Sequence, residues 1–283
     1  MSDDVSDPTV SDPTGADPTG SDPAGADSTA TTDLRTAIEA ADLSGSGWHR
    51  IEVVESTGST NADLAARATD DDIVGTVRIT TDQTAGRGRR TRVWSAPAGA
   101  QIAISAVVAV GDNADRLGWL SLATGIAAAT GIEKATGLRP VLKWPNDVLI
   151  GERKTAGILA EYVNGHAVVG IGINTNMSES DLPVPTATSL QVATGAPVDA
   201  AAVAIEYLRA LAAVGWPDGI DDLARQYRQR CDTIGRAVRL ELPDGEVTGT
   251  ARDVDREGRI VIEAADGRTV TAAAGDVVHL RAH

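Results

Sequence analysis

Ala156-Gly157-Ile158-Leu159-Ala160-Glu161-Tyr162-Val163, then Asn164-Gly165, then Ala167-Val168-Val169-Gly170-Ile171-Gly172-Ile173 read as two strands and a tight turn. Asn-Gly tolerates the positive φ that a short hairpin needs, so the two strands are expected as antiparallel neighbours. Further strand patterns fall at 51–54, 74–80, 101–110 and 141–144. Helical patterns fall at 60–69, where Ser59 or Thr60 suits the N-cap, at 117–136, at 199–214 behind Asp199, and at about 219–230. Strands that arrive partly as neighbours favour an α+β domain with a mixed, largely antiparallel sheet over regular βαβ alternation. Residues 236–281 differ in pattern from all that precedes them. They give five short alternating segments, with turns at Pro243-Asp244-Gly245-Glu246, Asp255-Arg256-Glu257-Gly258 and Asp266-Gly267, and no helical period. This predicts a small C-terminal β-barrel whose edges close on themselves.

At 283 residues the chain exceeds what one core normally organises, which points to a large domain with a small appendage. The expected divisions are a disordered acidic tail over 1–32, a main domain over 33–232 and the small barrel over 233–283. The tail repeats a Ser/Ala-Asp-Pro-Thr/Ala theme from Ser6 to Ala24 with almost no apolar residue to offset ordering entropy. One short helix, Asp33 to Ala41, is expected before the first strand. The net charge is −15, phenylalanine is absent, and 22 arginines stand beside three lysines, Lys134, Lys143 and Lys154. Such self-repulsion is tolerable in high salt, where the Debye length falls to roughly 3 Å at 1 M. A salt-rich, halophilic cytoplasm is therefore the expectation, with an ordinary acidic protein as the alternative. The acidic balance also disfavours nucleic acid as a partner, since phosphate binding needs a basic face. No secretory leader is visible, and the uncharged run Leu117 to Ile132 falls short of the roughly 20 residues of a membrane span. The single cysteine, Cys231, has no disulfide partner and no companion zinc ligands, so inert packing is expected.

Two of the three lysines fall within twelve residues, Lys143-Trp144-Pro145-Asn146-Asp147 and then Arg153-Lys154-Thr155-Ala156-Gly157. In a chain that otherwise uses arginine, a retained ammonium suggests that a compact point charge is needed. Pro145 ends a strand and presents Asn146 and Asp147, whose oxygens suit Mg²⁺ or its water shell; a turn beside a core tryptophan is the plainer reading. Upstream, Gln83-Thr84-Ala85-Gly86-Arg87-Gly88-Arg89-Arg90-Thr91-Arg92-Val93-Trp94 puts four arginines and two glycines in seven residues. Guanidinium forks match carboxylate or phosphate, and the glycines let a backbone approach; a flexible anion or nucleic-acid patch is the alternative. In Gly170-Ile171-Gly172-Ile173-Asn174, glycines thin a buried strand, which usually means that another group comes close. Asn174 then suits either an adenine edge or a cap.

Taken in this order, from about Ser56 to His283, the segments resemble the biotin protein ligase (biotin–acetyl-CoA-carboxylase ligase) family, in its monofunctional type. Ser59-Thr60-Asn61 matches the family's Ser-Thr-Asn at a helix start, Gln83 with Gly86-Arg87-Gly88-Arg89-Arg90 its ligand loop, and Lys143 to Asp147 its Lys-Trp-Pro-Asn-Asp. Lys154 with Gly157-Ile158-Leu159 matches the essential lysine segment, and Arg281 an arginine that reaches toward ATP. Thr91 departs from members that carry a third loop glycine there, which predicts a stiffer loop. The resemblance implies a class II synthetase-like fold with an SH3-like C-terminal barrel, and ATP and biotin as substrates with Mg²⁺. It implies Lys154, Arg89 and Arg87 as catalytic, with Ser59, Thr60, Asn61, Gln83, Gly86, Arg87, Gly88, Arg89, Lys154, Gly157 and Gly170 around biotin. Arg89, Arg92, Trp94, Lys143, Asn146, Lys154, Asn174 and Arg281 are implied around ATP, and Asp147 with Asn146 around the metal. Trp94 suits adenine stacking or lid packing equally.

The implied acceptor is a lysine of a separate biotin carboxyl carrier protein, because no Ala/Val-Met-Lys-Met occurs in this chain; a homodimer is among the assemblies the resemblance allows. Two alternatives differ in kind. A lipoate-type ligase would carry a loop of the kind Arg-Arg-x-x-Gly-Gly-Gly where this chain has Gly-Arg-Gly-Arg-Arg. A biotin-responsive DNA-binding regulator would need three helices before the first strand, and the residues between the tail and Arg50 are too few for helices of the usual 11 to 12 residues each.

Overall fold

The computed structural model describes residues 23–243 and 245–280, and over 23–30 the backbone alone. The chain runs through α1 (Pro23–Ala40), β1 (Arg50–Val53), α2 (Thr60–Ala66), β2 (Thr76–Thr80), β3 (Gly86–Arg87), β4 (Val93–Trp94) and β5 (Gln101–Ala109). It continues through α3 (Leu120–Thr136), β6 (Val141–Lys143), β7 (Asp147–Ile150), β8 (Arg153–Val163), β9 (His166–Asn174), α4 (Leu190–Thr194), α5 (Ala200–Ala213) and α6 (Ile220–Arg230). Five strands close the chain: β10 (Ala237–Leu242), β11 (Gly245–Val254), β12 (Ile260–Ala264), β13 (Thr269–Ala272) and β14 (Asp276–His279).

Seven strands form one sheet in the order β1-β2-β5-β9-β8-β7-β6, parallel only between β1 and β2. The hairpin expected across Asn164-Gly165 is β8–β9, its turn residues having φ of 49° and 84°. Ser59 caps α2 by accepting from the backbone N–H of Ala62, and Asp199 caps α5 through the N–H groups of Ala201 and Ala202. Several elements differ from the sequence reading, among them the short helix α4. Asp147–Ile150 forms β7, read in the sequence only as the turn after Pro145; β3 and β4 make a small hairpin inside the arginine loop; and α1 begins at Pro23, inside the segment expected to be disordered. Pro23 suits a first helical turn, the alanines behind it favour helix, and Thr31, Leu34 and Ile38 are buried. Packing of these three residues accounts for the helix from residue 31 onward, and residues 1–22 of the expected tail lie outside the described residues.

The second sheet is antiparallel, in the order β13-β12-β11-β10-β14. This is the small C-terminal antiparallel β domain expected from the turns; no ladder joins β13 to β14 among the described residues. The end strands are four residues each, and Asp276 at the start of β14 pairs with Arg90 and Arg92 of the main domain. A single core joins both sheets, with Val238, Leu240, Ile260 and Ile262 in the same buried cluster as Trp119 and Trp144. Two indoles fasten one turn: Trp119 Nε1 donates to the carbonyl of Arg256 at 2.7 Å, and Trp144 Nε1 to that of Gly258 at 3.1 Å. Cys231 is buried, and burial pushes its thiol above the ordinary range, in keeping with an inert packing role.

Candidate active site

The N-terminus of α2 lies against the middle of β9, where a side chain has no room. A Cβ on Gly170 would stand 1.9 Å from Asn61 Oδ1, so this glycine is what admits the asparagine. The polar groups brought in at this point form a chain. Thr60 N and Oγ1 both reach Gln83 Oε1, at 2.9 and 3.2 Å, and Thr60 Oγ1 meets Ser105 Oγ at 2.7 Å. Ser105 Oγ donates to Asn61 Oδ1 at 2.6 Å, while Asn61 Nδ2 donates to the carbonyl of Leu159 at 3.1 Å and to Glu161 Oε2 at 2.9 Å. Both amide hydrogens of Asn61 are thereby used, and one lone pair of Oδ1 remains.

Above this floor sits the β3–β4 hairpin. Trp94 lies on two glycines: a Cβ on Gly172 would stand 2.4 Å from its ring, and one on Gly157 would stand 3.1 Å away. The indole donates to Gln101 Oε1 at 2.6 Å. Between the strands, Arg90 and Thr91 have φ of 51° and 62°, an uncommon backbone for a β-branched residue. Each of the four loop arginines has a partner in the chain. Arg87 donates to Glu161 Oε2 at 2.8 Å, Arg90 and Arg92 both pair with Asp276, and Arg89 reaches Asn146 Oδ1 at 3.2 Å and the carbonyl of Gly275 at 3.4 Å. Burial pulls the Arg89 guanidinium below its usual range, and the Asp276 and Asp147 carboxylates oppose that pull. Asp276 and Gly275 come from the C-terminal sheet, so the hairpin spans both parts of the molecule.

β6 and β7 face each other across Trp144-Pro145-Asn146, with Lys143 opposite Asp147. Lys154, on β8, places Nζ 2.6 Å from Asp147 Oδ1 and 5.8 Å from the centre of the Trp94 ring. The floor, the hairpin and this pair enclose a cavity of about 280 Å³. A second cavity, of about 750 Å³, shares Lys143, Asp147, Lys154 and Val278 with the first and is lined also by Arg236 and His279. Lys154 stands at the junction. The third lysine, Lys134, is in the last turn of α3, 3.9 Å from Glu206, and lines neither cavity.

The first cavity gathers most of the residues singled out in the sequence: Ser59, Thr60, Asn61 and Gln83 at one end, Arg87, Gly88, Arg89, Arg92 and Trp94 above, and Lys143, Asn146, Asp147, Lys154, Gly157 and Gly170 along β6 to β9. Two are elsewhere. Gly86 supports the hairpin, where a Cβ would stand 2.4 Å from the Trp94 carbonyl. Asn174, expected beside adenine, is buried at the end of β9 with Nδ2 bonded to the carbonyl of Thr188 at 2.9 Å, and it fastens that loop. Arg281 lies outside the described residues. Asn146 Oδ1 accepts from Arg89 and Nδ2 donates to the carbonyl of Ile158, which leaves one lone pair of Oδ1 for a metal ion or its water. Asp147 fits a Mg²⁺ ion held chiefly by phosphate oxygens and water, and no cluster of three or more metal-ligating side chains exists among the described residues. Sequence reasoning missed Ser105, Glu161 and Asp276; their only signal is a polar residue among apolar neighbours on a strand.

Residues 52–178 match the model of the biotin/lipoate A/B protein ligase family, and residues 233–280 match that of the biotin protein ligase C terminal domain. The chain is 47% identical over 245 residues to the biotin–[acetyl-CoA-carboxylase] ligase of Mycobacterium tuberculosis, covering 84% of this chain and 91% of that one. It is 32% identical over 235 residues to the bifunctional ligase/repressor BirA of Bacillus subtilis, covering 78% and 71%. Among solved structures, the Aquifex aeolicus biotin protein ligase in complex with biotin and ATP superposes with a TM-score of 0.69 at 25% identity, over 83% of this chain and all of that one. The chain belongs to the biotin protein ligase family.

Proposed function

We propose that the chain is a biotin–[biotin carboxyl carrier protein] ligase. The observation that carries the proposal is the placement of Lys154 Nζ between a small polar-ended cavity and a larger one that holds Lys143 and Arg236. In the first step a biotin carboxylate oxygen attacks the α-phosphorus of ATP, the bond to diphosphate breaks, and biotinyl-5′-AMP remains. Negative charge converges on the α-phosphate, and a fixed cation there lowers the barrier by several kcal/mol. Lys154 bridges carboxylate and α-phosphate; Asp147 holds it in place. Lys143, which lines both cavities, would meet the remaining phosphates. Bound with the nucleotide, Mg²⁺ would neutralise phosphate charge, with Asp147 as its protein ligand. In the second step an acceptor lysine amine attacks the acyl carbon, AMP leaves, and the amine gives its proton to solvent. The hairpin of Arg87, Arg89 and Arg92 covers the anhydride and excludes water.

The ring end of the cavity favours biotin over lipoate. Asn61 has only an acceptor left, which suits an N–H of a cyclic urea, and a dithiolane has none to offer. The carrier domain as acceptor rests on the family, and a homodimer and a cytoplasmic, salt-rich setting remain part of the proposal; no described helix is long and apolar enough to cross a membrane. Incubation with ATP, Mg²⁺ and either biotin or lipoate, followed by mass analysis of the bound adenylate, tests the reading. A lipoyl adenylate, or none, overturns it. Melting in low and in molar salt tests the salt adaptation, which unchanged stability at low salt would refute.

A further inference from the structure

One carboxylate oxygen joins the floor of the cavity to its cover. Glu161 Oε2 accepts from Asn61 Nδ2 at 2.9 Å and from Arg87 Nη2 at 2.8 Å. Asn61 belongs to α2 at the ring end, Arg87 to the hairpin above, and Glu161 to β8, where Gly157, Leu159 and Glu161 share one face by the period of two. The carboxylate is not a surface decoration: its side chain is 28% exposed against 44% for Arg87, and the asparagine it holds is 4% exposed. Neither the sequence motifs nor the proposed chemistry gives it a task.

We propose that Glu161 is a positioning residue that couples biotin recognition to closure of the arginine hairpin. This rests on the ligase reading and deepens it. By taking one amide hydrogen of Asn61, with the Leu159 carbonyl taking the other, Glu161 fixes the amide so that its oxygen faces the ligand as an acceptor. The same oxygen, through a charge-assisted bond, holds Arg87 and so the first strand of the hairpin. A ring that donates to Asn61 Oδ1 draws electron density through the amide and makes Nδ2 a better donor to Glu161. Occupancy of the floor therefore tightens the anchor of the cover.

The two duties can be separated by substitution. Glu161→Gln keeps an acceptor for Asn61 but loses the charge on Arg87, so the adenylate should dissociate about tenfold faster, and because coupling is reciprocal the biotin Kd should rise by about two- to threefold, less than in the alanine variant. Glu161→Ala removes both contacts, so the biotin Kd should also rise by about tenfold. The measurements are titration calorimetry with biotin and the dissociation rate of preformed biotinyl-5′-AMP, on variants with native melting curves. If the two variants weaken biotin equally, or if neither moves either quantity, the coupling is refuted. Glu161→Gln is nearly isosteric and keeps the proposal falsifiable even if the alanine variant fails to fold. A wild-type chain that forms no biotinyl adenylate would instead overturn the ligase reading itself.

Discussion

Lys154 and Gly170 are the two positions at which a single side chain decides the chemistry. Lys154 is 35% exposed, pinned by Asp147, and aimed at the junction of two cavities. Lys154→Ala should leave melting unchanged and cut adenylate formation by at least about a hundredfold, the usual worth of a contact to developing oxyanion charge. Turnover near that of the wild type would remove the lysine from the mechanism. Gly170→Ala should act on binding instead, because its Cβ falls 1.9 Å from Asn61 Oδ1 and the asparagine must move. We expect biotin affinity to fall by about ten- to a hundredfold, the cost of overpacking such a site. Calorimetry giving an unaltered Kd would show that Asn61 is not a ligand contact. Both residues are legible in the sequence, the lysine through its rarity and the glycine through its place inside an apolar strand. Asn174 is legible as a polar residue but not in its role, since nothing local tells an amide that faces a ligand from one that fastens a loop.

At the scale of elements, the β3–β4 hairpin is visible in the sequence only as a glycine- and arginine-rich loop. Its conformation depends on Asp276 and Gly275, nearly two hundred residues away, and no local pattern announces such a partner. Three of its four arginines pair with carboxylates elsewhere in the chain, Arg87 with Glu161 and Arg90 and Arg92 with Asp276. Arg89, which ties it to Asn146 and to Gly275, should be a retaining residue more than a reacting one. Arg89→Ala is expected to make biotinyl-5′-AMP and to release it faster, by about tenfold or more, since residence time is mostly an off-rate property. Stopped-flow dissociation of the adenylate checks this, and an unchanged rate would end the retaining role. The strand β7 is hidden for a different reason. It is four residues long and follows a proline turn, and its place in the sheet comes from pairing with β8 rather than from periodicity.

For the whole molecule, the docking of the C-terminal sheet includes a titrating contact. His279, on β14, meets Thr233 Oγ1 at 3.0 Å, and burial, together with Lys143 and Arg236, lowers its imidazole below 6.5 in spite of Asp232. The unfolded chain then binds more protons than the folded one at pH values just below 6.5, so this contribution is present above that pH and is lost as pH falls toward the folded value. His279→Gln should flatten part of the loss of melting temperature as pH falls below 6.5; identical slopes would show that the ring does not report on folding. The mixed sheet can be read from turns and strand spacing, whereas the core shared by the two sheets depends on contacts between distant segments. The scarcity of lysine also protects the chain from its own product. Of the three lysines, two line the cavities and only Lys134 stands largely in solvent, 57% exposed beside Glu206. An enzyme that makes an amine-reactive anhydride thus offers escaping molecules almost no nucleophile of its own. Self-labelling by adenylate that has left the cavity should concentrate at Lys134 and the α-amine.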